Sequence, residues 1–181
     1  MQYVYGRDCV NMSRILIVVD MQNDFVNGSL GSGEAQEIVS NVKEKILEYR
    51  KNGDTVIFTR DTHDENYLQS QEGKYLPVPH CINGTDGWNI VDGLETENCQ
   101  YIDKPNFGWP HWDTKNFSEK DEIELIGVCT DICVVSNALI LKAMYPETHI
   151  TVDASCCAGV TPESHSAALL TMKSCQIDVI N

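Results

Sequence analysis

Glu122-Ile123-Glu124-Leu125-Ile126-Gly127-Val128 reads as a strand, and it runs straight into Cys129-Thr130-Asp131-Ile132-Cys133. An apolar helical pattern then continues to about Met144. A strand feeding directly into a helix is one step of a βαβ unit. The same step recurs on both sides of it. Upstream, Arg14–Val19 is a continuous apolar run ending at Asp20, followed by a helix over about Glu34–Lys51. Ile38, Val42, Ile46 and Tyr49 form that helix's apolar stripe, and Gly53 stands at its C-terminal cap. A second strand covers Thr55–Thr59, before Arg60 and Asp61, and a short third covers Cys99–Asp103, ending at Lys104. Downstream lie a strand at His149–Val152 and a helix opened by Thr161-Pro162-Glu163 that runs to about Ser174. Threonine is a capping residue there, and proline suits the first helical position. A last strand covers Gln176–Ile180. The expected fold is α/β: three layers, doubly wound, with a mostly parallel six-stranded sheet.

The stretch from Thr62 to about Thr96 reads as loop, and a short helix is expected near Asp113–Phe117. Thr130 or Asp131 is the expected cap of the helix after the fourth strand. Residues 1–11 read as a polar extension and 12–181 as one domain, a length that buries a substantial core.

The formal net charge is −14, with no basic patch to neutralise phosphates, so nucleic acid is not an expected partner. No apolar run approaches the ~20 residues that span a bilayer, and the N-terminus lacks a signal-peptide core. Eight cysteines without such a signal are expected to be reduced thiols in a cytoplasmic protein.

In open parallel sheets, ligands bind beyond the carboxyl ends of the strands. The residues emerging there are Asp20, Asp61 with His63, Lys104, and Cys129 to Cys133. Cys133 falls in the first turn of a helix, where backbone N–H groups and the helix dipole favour thiolate and can hold an oxyanion. An inert, packed cysteine is the alternative. Cys129 competes as nucleophile, and a redox couple of the two is a further alternative; Cys156-Cys157 reads as structural. Asp20 suits general acid–base work, and Lys104 suits lowering the thiol pKa or keeping the carboxylate charged. Asp61 and His63, two apart in an extended segment, point to one side; with His80 they form a set that suits zinc, iron or manganese. His111, His149 and His165 read as structural or surface residues.

Five pieces in order carry a resemblance: Val19-Asp20-Met21-Gln22-Asn23-Asp24-Phe25, Thr59-Arg60-Asp61-Thr62-His63, Pro79-His80-Cys81, Lys104 after the third strand, and Gly127–Val134. From Arg14 to the C-terminus the chain resembles the isochorismatase-like cysteine hydrolase superfamily, in its nicotinamidase branch. That resemblance implies a triad of Asp20, Lys104 and Cys133. It implies a cis peptide at Val128–Cys129 and an oxyanion hole formed by the Cys129 and Cys133 amides. It also implies one divalent metal on Asp61, His63 and His80, with Glu72 as the candidate fourth ligand, although the Glu72–His80 spacing is one residue longer than the branch pattern. The implied reaction converts nicotinamide to nicotinate and ammonia through a thioester, a step in NAD salvage. Phe25, Leu76, Phe107, Trp109 and Val128 are the pocket residues it suggests, and a homo-oligomer is the implied assembly. Trp112 is expected either in that pocket or in the core. The segment Lys104–Trp112 departs from the Tyr/Phe-Ser-Ala-Phe pattern of the branch. The same fold also accommodates an amidase for another small amide or carbamoyl compound, or a catalytically silent binding or scaffold paralogue. A vinyl-ether hydrolase of the isochorismatase type needs no thiol, so Cys133 argues against it.

Overall fold

The computed structural model describes residues 12–95 and 97–181; the expected extension, 1–11, lies outside them. Six strands form one sheet in the order β3-β2-β1-β4-β5-β6. They are β1 (Arg14–Val19), β2 (Thr55–Asp61), β3 (Gln100–Lys104), β4 (Glu122–Val128), β5 (His149–Ala158) and β6 (Asp178–Ile180). Every pairing is parallel. The helices are α1 (Asn23–Val26), α2 (Gly33–Glu37), α3 (Val39–Asn52), α4 (Gln71–Tyr75), α5 (Val135–Met144) and α6 (Pro162–Ser174).

Alternation along β1 builds the three layers. Leu16 and Val18 face one way, against Val42, Ile46 and Tyr49 of α3. Ile15, Ile17 and Val19 face the other, against Ala138 and Leu141 of α5 and Met172 of α6. A strand buried on both faces needs apolar residues at every position, which is why β1 shows no polar alternation. The strand order reverses between β1 and β4. Their carboxyl ends therefore splay into a crevice, where Asp20 and Cys129–Cys133 emerge. Gly127 permits the close approach of β4 to β1: at φ +116°, a Cβ there would meet the Val19 carbonyl.

Several local expectations change. The first long helix breaks at Ile38 into α2 and α3, with the Ser32 side chain capping α2 by accepting from the Ala35 amide. The stretch after β2 is not all loop: it holds α4 and short 3-10 turns at Tyr67–Gln69 and Asp86–Trp88. The helix near Asp113–Phe117 is a 3-10 turn at Trp112–Lys115. β5 is ten residues long, running through Asp153 and Ser155 to Ala158. Those polar residues hide it from an apolar pattern; Asp153 is buried there because Lys45 pairs with it at 2.9 Å. Neither Thr130 nor Asp131 caps the helix after β4. The chain makes a wide π-type turn over Thr130–Val134, and α6 and its entry loop engage both side chains. The Gly53 cap and the Thr161/Pro162 start of α6 form as expected. Among the described residues, no helix is long and apolar enough to cross a membrane.

Candidate active site

The register places the site's parts. Asp61 pairs with Lys104 across β2 and β3, and Asp20 follows Val19, which pairs with both Thr59 and Gly127. Asp20 adopts φ +49°, turning out of the strand into the crevice. Its Oδ2 lies 2.6 Å from Lys104 Nζ, and its Oδ1 accepts a 2.6 Å hydrogen bond from Thr59 Oγ1. Lys104 Nζ also donates to the Asn106 carbonyl at 3.0 Å and lies 3.6 Å from Cys133 Sγ. The Val128–Cys129 peptide is cis.

All three side chains of the expected triad are buried, and burial is the largest influence on their electrostatics. It would lower Lys104, but Asp20, then Cys133 and Asp61, hold the ammonium above the ordinary lysine range. Burial raises Asp20, opposed mainly by Lys104. Burial also pushes the Cys133 thiol well above its usual value; Lys104 opposes this, while Asp20, which accepts from the thiol, adds to it. Burial thus works against the thiolate expected at a helix start. Desolvation opposes the terminal dipole and favours the thiol. Transfer of the thiol proton to Asp20 keeps the triad's net charge constant, with Lys104 beside the anion in both states. Cys129 is also raised, to about 12, by burial and then by Asp131 and Asp20.

Beside the triad, Asp61, His63, Glu72 and His80 bring four potential ligand atoms within 4.8 Å of one another. His63 Nε2 lies 2.9 Å from Asp61 Oδ2, and Glu72 Oε1 lies 3.7 Å from both imidazole Nε2 atoms. His80 Nδ1 is 2.8 Å from the Val78 carbonyl; donating there leaves Nε2 a lone pair aimed at the cluster, the outer-shell arrangement of a metal-binding histidine. The buried Asp61 Oδ1 has no hydrogen-bond partner and lies 3.5 Å from Lys104 Nζ. Two imidazoles, two carboxylates and an orphaned acceptor fit a divalent metal. Gln22, in the first motif, holds this edge: its Oε1 accepts from the Asp61 amide, and its Nε2 donates to the Asp61 and Trp88 carbonyls. Gly73 lets α4 lie against Tyr67, where a Cβ would strike the Tyr67 carbonyl, and Glu72 precedes it.

Both clusters open into one cavity of about 920 Å³. Phe25, Leu76, Phe107, Val128, Cys129 and Cys133 line it, with Asp61, His63 and Glu72 on one side. Phe25 packs edge-on to His80. Trp109 does not line the cavity: its ring packs perpendicular to Trp112 at 4.9 Å, and its amide donates to Asn137 Oδ1. Trp112 is wholly buried in the core, so the tryptophans serve the α5 side of the sheet. His111 packs against Trp109, and His149 pairs with exposed Asp178. His165 is not a bystander, because its Nδ1 lies 2.8 Å from Thr130 Oγ1. Gln22, Thr59 and Thr130 lay within the quoted motifs and were readable as candidates from that position; His165 had no such signal.

The strand order brings a buried Asp–Lys–Cys constellation to the crevice of a doubly wound parallel sheet, the arrangement of an isochorismatase-like fold. The isochorismatase domain model matches residues 14–181, and the chain belongs to that family. It is similar to the uncharacterized isochorismatase family protein PncA of Bacillus subtilis, at 31% identity over 87% of this chain and 93% of that protein. Among solved structures, it is similar to the pyrazinamidase/nicotinamidase of Streptococcus mutans (TM-score 0.82, 29% identity, 93% of this chain and 100% of that one). It is also similar to the pyrazinamidase of Pyrococcus horikoshii in complex with zinc (TM-score 0.78, 29% identity, 93% and 99% covered).

Proposed function

We propose that this protein is a nicotinamidase-type amidase, hydrolysing nicotinamide to nicotinate and ammonia with Cys133 as nucleophile. One observation carries the reading: the Cys133 thiol, with a buried Asp20–Lys104 pair behind it, shares a cavity with a cluster whose donors suit a divalent metal. Relatives named for pyrazinamidase and nicotinamidase activity support the substrate class.

Asp20 takes the Cys133 proton as Sγ attacks the amide carbonyl. The Cys129 and Cys133 amides hold the oxyanion. On collapse of the tetrahedral adduct, Asp20 returns the proton to the departing nitrogen, which leaves as ammonia. Asp20 then deprotonates a water that attacks the thioester, and the proton returns to Sγ as the acid is released. Lys104 stays charged throughout and stabilises whichever partner, carboxylate or sulfur, is anionic. Asp61, His63, His80 and Glu72 would hold the metal, zinc by analogy with the Pyrococcus protein, and it would supply a Lewis-acidic position for a pyridine nitrogen. Phe25 and Val128 present apolar walls to the ring.

Among the described residues, none lining the cavity is a lysine or arginine, so apart from the metal the site presents no cationic side chain to a substrate and suits neutral amides. A second reading, another small neutral amide or carbamoyl compound, is favoured by size: about 920 Å³ lies near the top of the range of ~300–1,000 Å³ for ligand pockets, more than one pyridine ring needs. The free thiols of Cys81, Cys129, Cys133, Cys156, Cys157 and Cys175 agree with a cytoplasmic enzyme, and a homo-oligomer is the assembly this reading carries.

Ammonia release from nicotinamide by the zinc-loaded protein, beside Cys133→Ala, tests the reading. Release that the variant abolishes supports it. No release from nicotinamide, with turnover of another neutral amide, replaces the substrate and keeps the nucleophile.

A further inference from the structure

We propose that His165, on α6, is a positioning residue: through Thr130 it holds the turn that carries Cys129 and Cys133 in its working shape. The proposal rests on the reading of Cys133 as nucleophile, but not on nicotinamide as substrate.

Thr130 lies between the two cysteines and is fully buried. Its Oγ1 is 2.8 Å from His165 Nδ1. Burial lowers the His165 pKa, outweighing the nearby Asp131 carboxylate, so the ring is neutral near pH 7 and offers one acceptor nitrogen. A hydroxyl donating to that nitrogen is a long-range tie between α6 and the turn. Asp131 makes a second tie, since its Oδ1 accepts from the Val160 amide at 2.9 Å. The two meet at Gly159: a Cβ there would fall 2.8 Å from His165 Cβ and 2.9 Å from Asp131 Oδ1. The turn is a wide one, with the Ile132 and Val134 amides both donating to the Cys129 carbonyl. Thr130 makes no cap within it, and its hydroxyl is instead committed to α6. The reactive end of the molecule is thus tied to a helix that contributes nothing else to the chemistry.

The test uses His165→Ala, His165→Asn, Thr130→Val and Thr130→Ser in the full chain. Asparagine places a polar atom near the position of Nδ1, and serine keeps the hydroxyl. Two quantities are read: kcat and KM for amide hydrolysis, and the rate of Cys133 alkylation by iodoacetamide at pH 8, followed by mass spectrometry of its peptide. Alanine and valine are expected to lower kcat by at least tenfold with KM changed less than threefold, and to change the alkylation rate at least threefold. Asparagine and serine should restore both to within threefold of the parent, and the Ala/Val double variant should be no worse than either single one. If kcat and alkylation stay at parental values in His165→Ala and Thr130→Val, the proposal is overturned. Additive losses, or losses that asparagine and serine leave unrepaired, overturn it equally. If the parent shows no nicotinamide hydrolysis while alkylation responds and is restored as described, the substrate reading fails and the positioning role stands.

Discussion

Lys104 Nζ lies 2.6 Å from Asp20 Oδ2, and neither side chain reaches solvent. An ion pair so placed is a strong constraint, because removing one partner strands the other's charge in a medium that cannot solvate it. Breaking such a pair costs about 3–5 kcal/mol of stability. Asp20→Asn should therefore lower the melting temperature measurably. It should also reduce amide hydrolysis by about 10³-fold, the middle of the range of ~10²–10⁴ for general acid–base catalysis. Lys104→Met, which removes the charge and keeps much of the bulk, should lose activity similarly. Calorimetry with ammonia release checks both. An Asp20→Asn protein hydrolysing at the parental rate would remove Asp20 from the mechanism.

Thr59 tunes that carboxylate. Its hydroxyl donates to Asp20 Oδ1 and lowers the Asp20 pKa, which burial raises. In Thr59→Val the donor is gone, so the carboxylate protonates at higher pH. The acidic limb of the rate–pH profile should move up by about one to two units, as expected for loss of a hydrogen bond to a charged group worth ~1.5–3 kcal/mol. A limb that stays in place or moves down contradicts the assignment of Asp20 as base.

Metal content reads the second cluster without reference to turnover. His63→Ala and His80→Ala should each weaken zinc binding by at least about 100-fold, since even outer-shell changes cost ~10–100-fold. Glu72→Gln should weaken it less, because Glu72 is the most exposed of the four. Competition with a fluorescent chelator and elemental analysis measure this. Parental affinity in all three variants would rule out the cluster as a metal site.

Asp153 supplies an acid-stability test away from the site. Burial would raise its pKa, but hydrogen bonds from Lys45, Ser155 and Asn181 hold it below the ordinary value. A carboxyl depressed in the folded state contributes stability above its unfolded pKa of about 3.9, and that contribution is lost as pH falls through the folded value. Asp153→Asn should be less stable than the parent at pH 7, with the gap closing below about pH 4. Urea unfolding at pH 7 and pH 3.5 measures the two gaps; a gap that widens in acid refutes the linkage.

Charge sets the last expectation. With no lysine or arginine among the residues lining the cavity, amides that carry a carboxylate should be hydrolysed at least tenfold more slowly than neutral ones of similar size. Side-by-side kcat/KM values decide it, and equal values would mean that the metal held by the Asp61, His63, Glu72 and His80 cluster, or Lys104, takes the substrate carboxylate.

Much of this was legible in the chain. An uninterrupted apolar run such as Ile15–Val19 determines a strand buried on both faces, because an unpaired polar side chain there would lose its water. The alternation of strands with helical patterns gives the parallel sheet, and the residues after each strand gather at one edge by the geometry of that sheet. Asp20, Lys104, Cys133, Asp61 and His63 were found by that route, and His80 by the Pro79-His80-Cys81 motif in the loop that follows. What the tertiary structure decided is set by contacts between distant segments. The thiol's raised pKa follows from complete burial, which position in a helix does not specify. Trp109 turns to the core because Trp112 and Asn137 await it on the far side of the sheet. β5 continues through Asp153 only because Lys45, far away in sequence, neutralises it. His165 meets Thr130 because α6 packs back onto the turn after β4. Local patterning depends on period and solvation, which a sequence carries in itself, whereas the worth of a buried charge or a hydrogen bond depends on what the folded chain brings within about 3 Å of it.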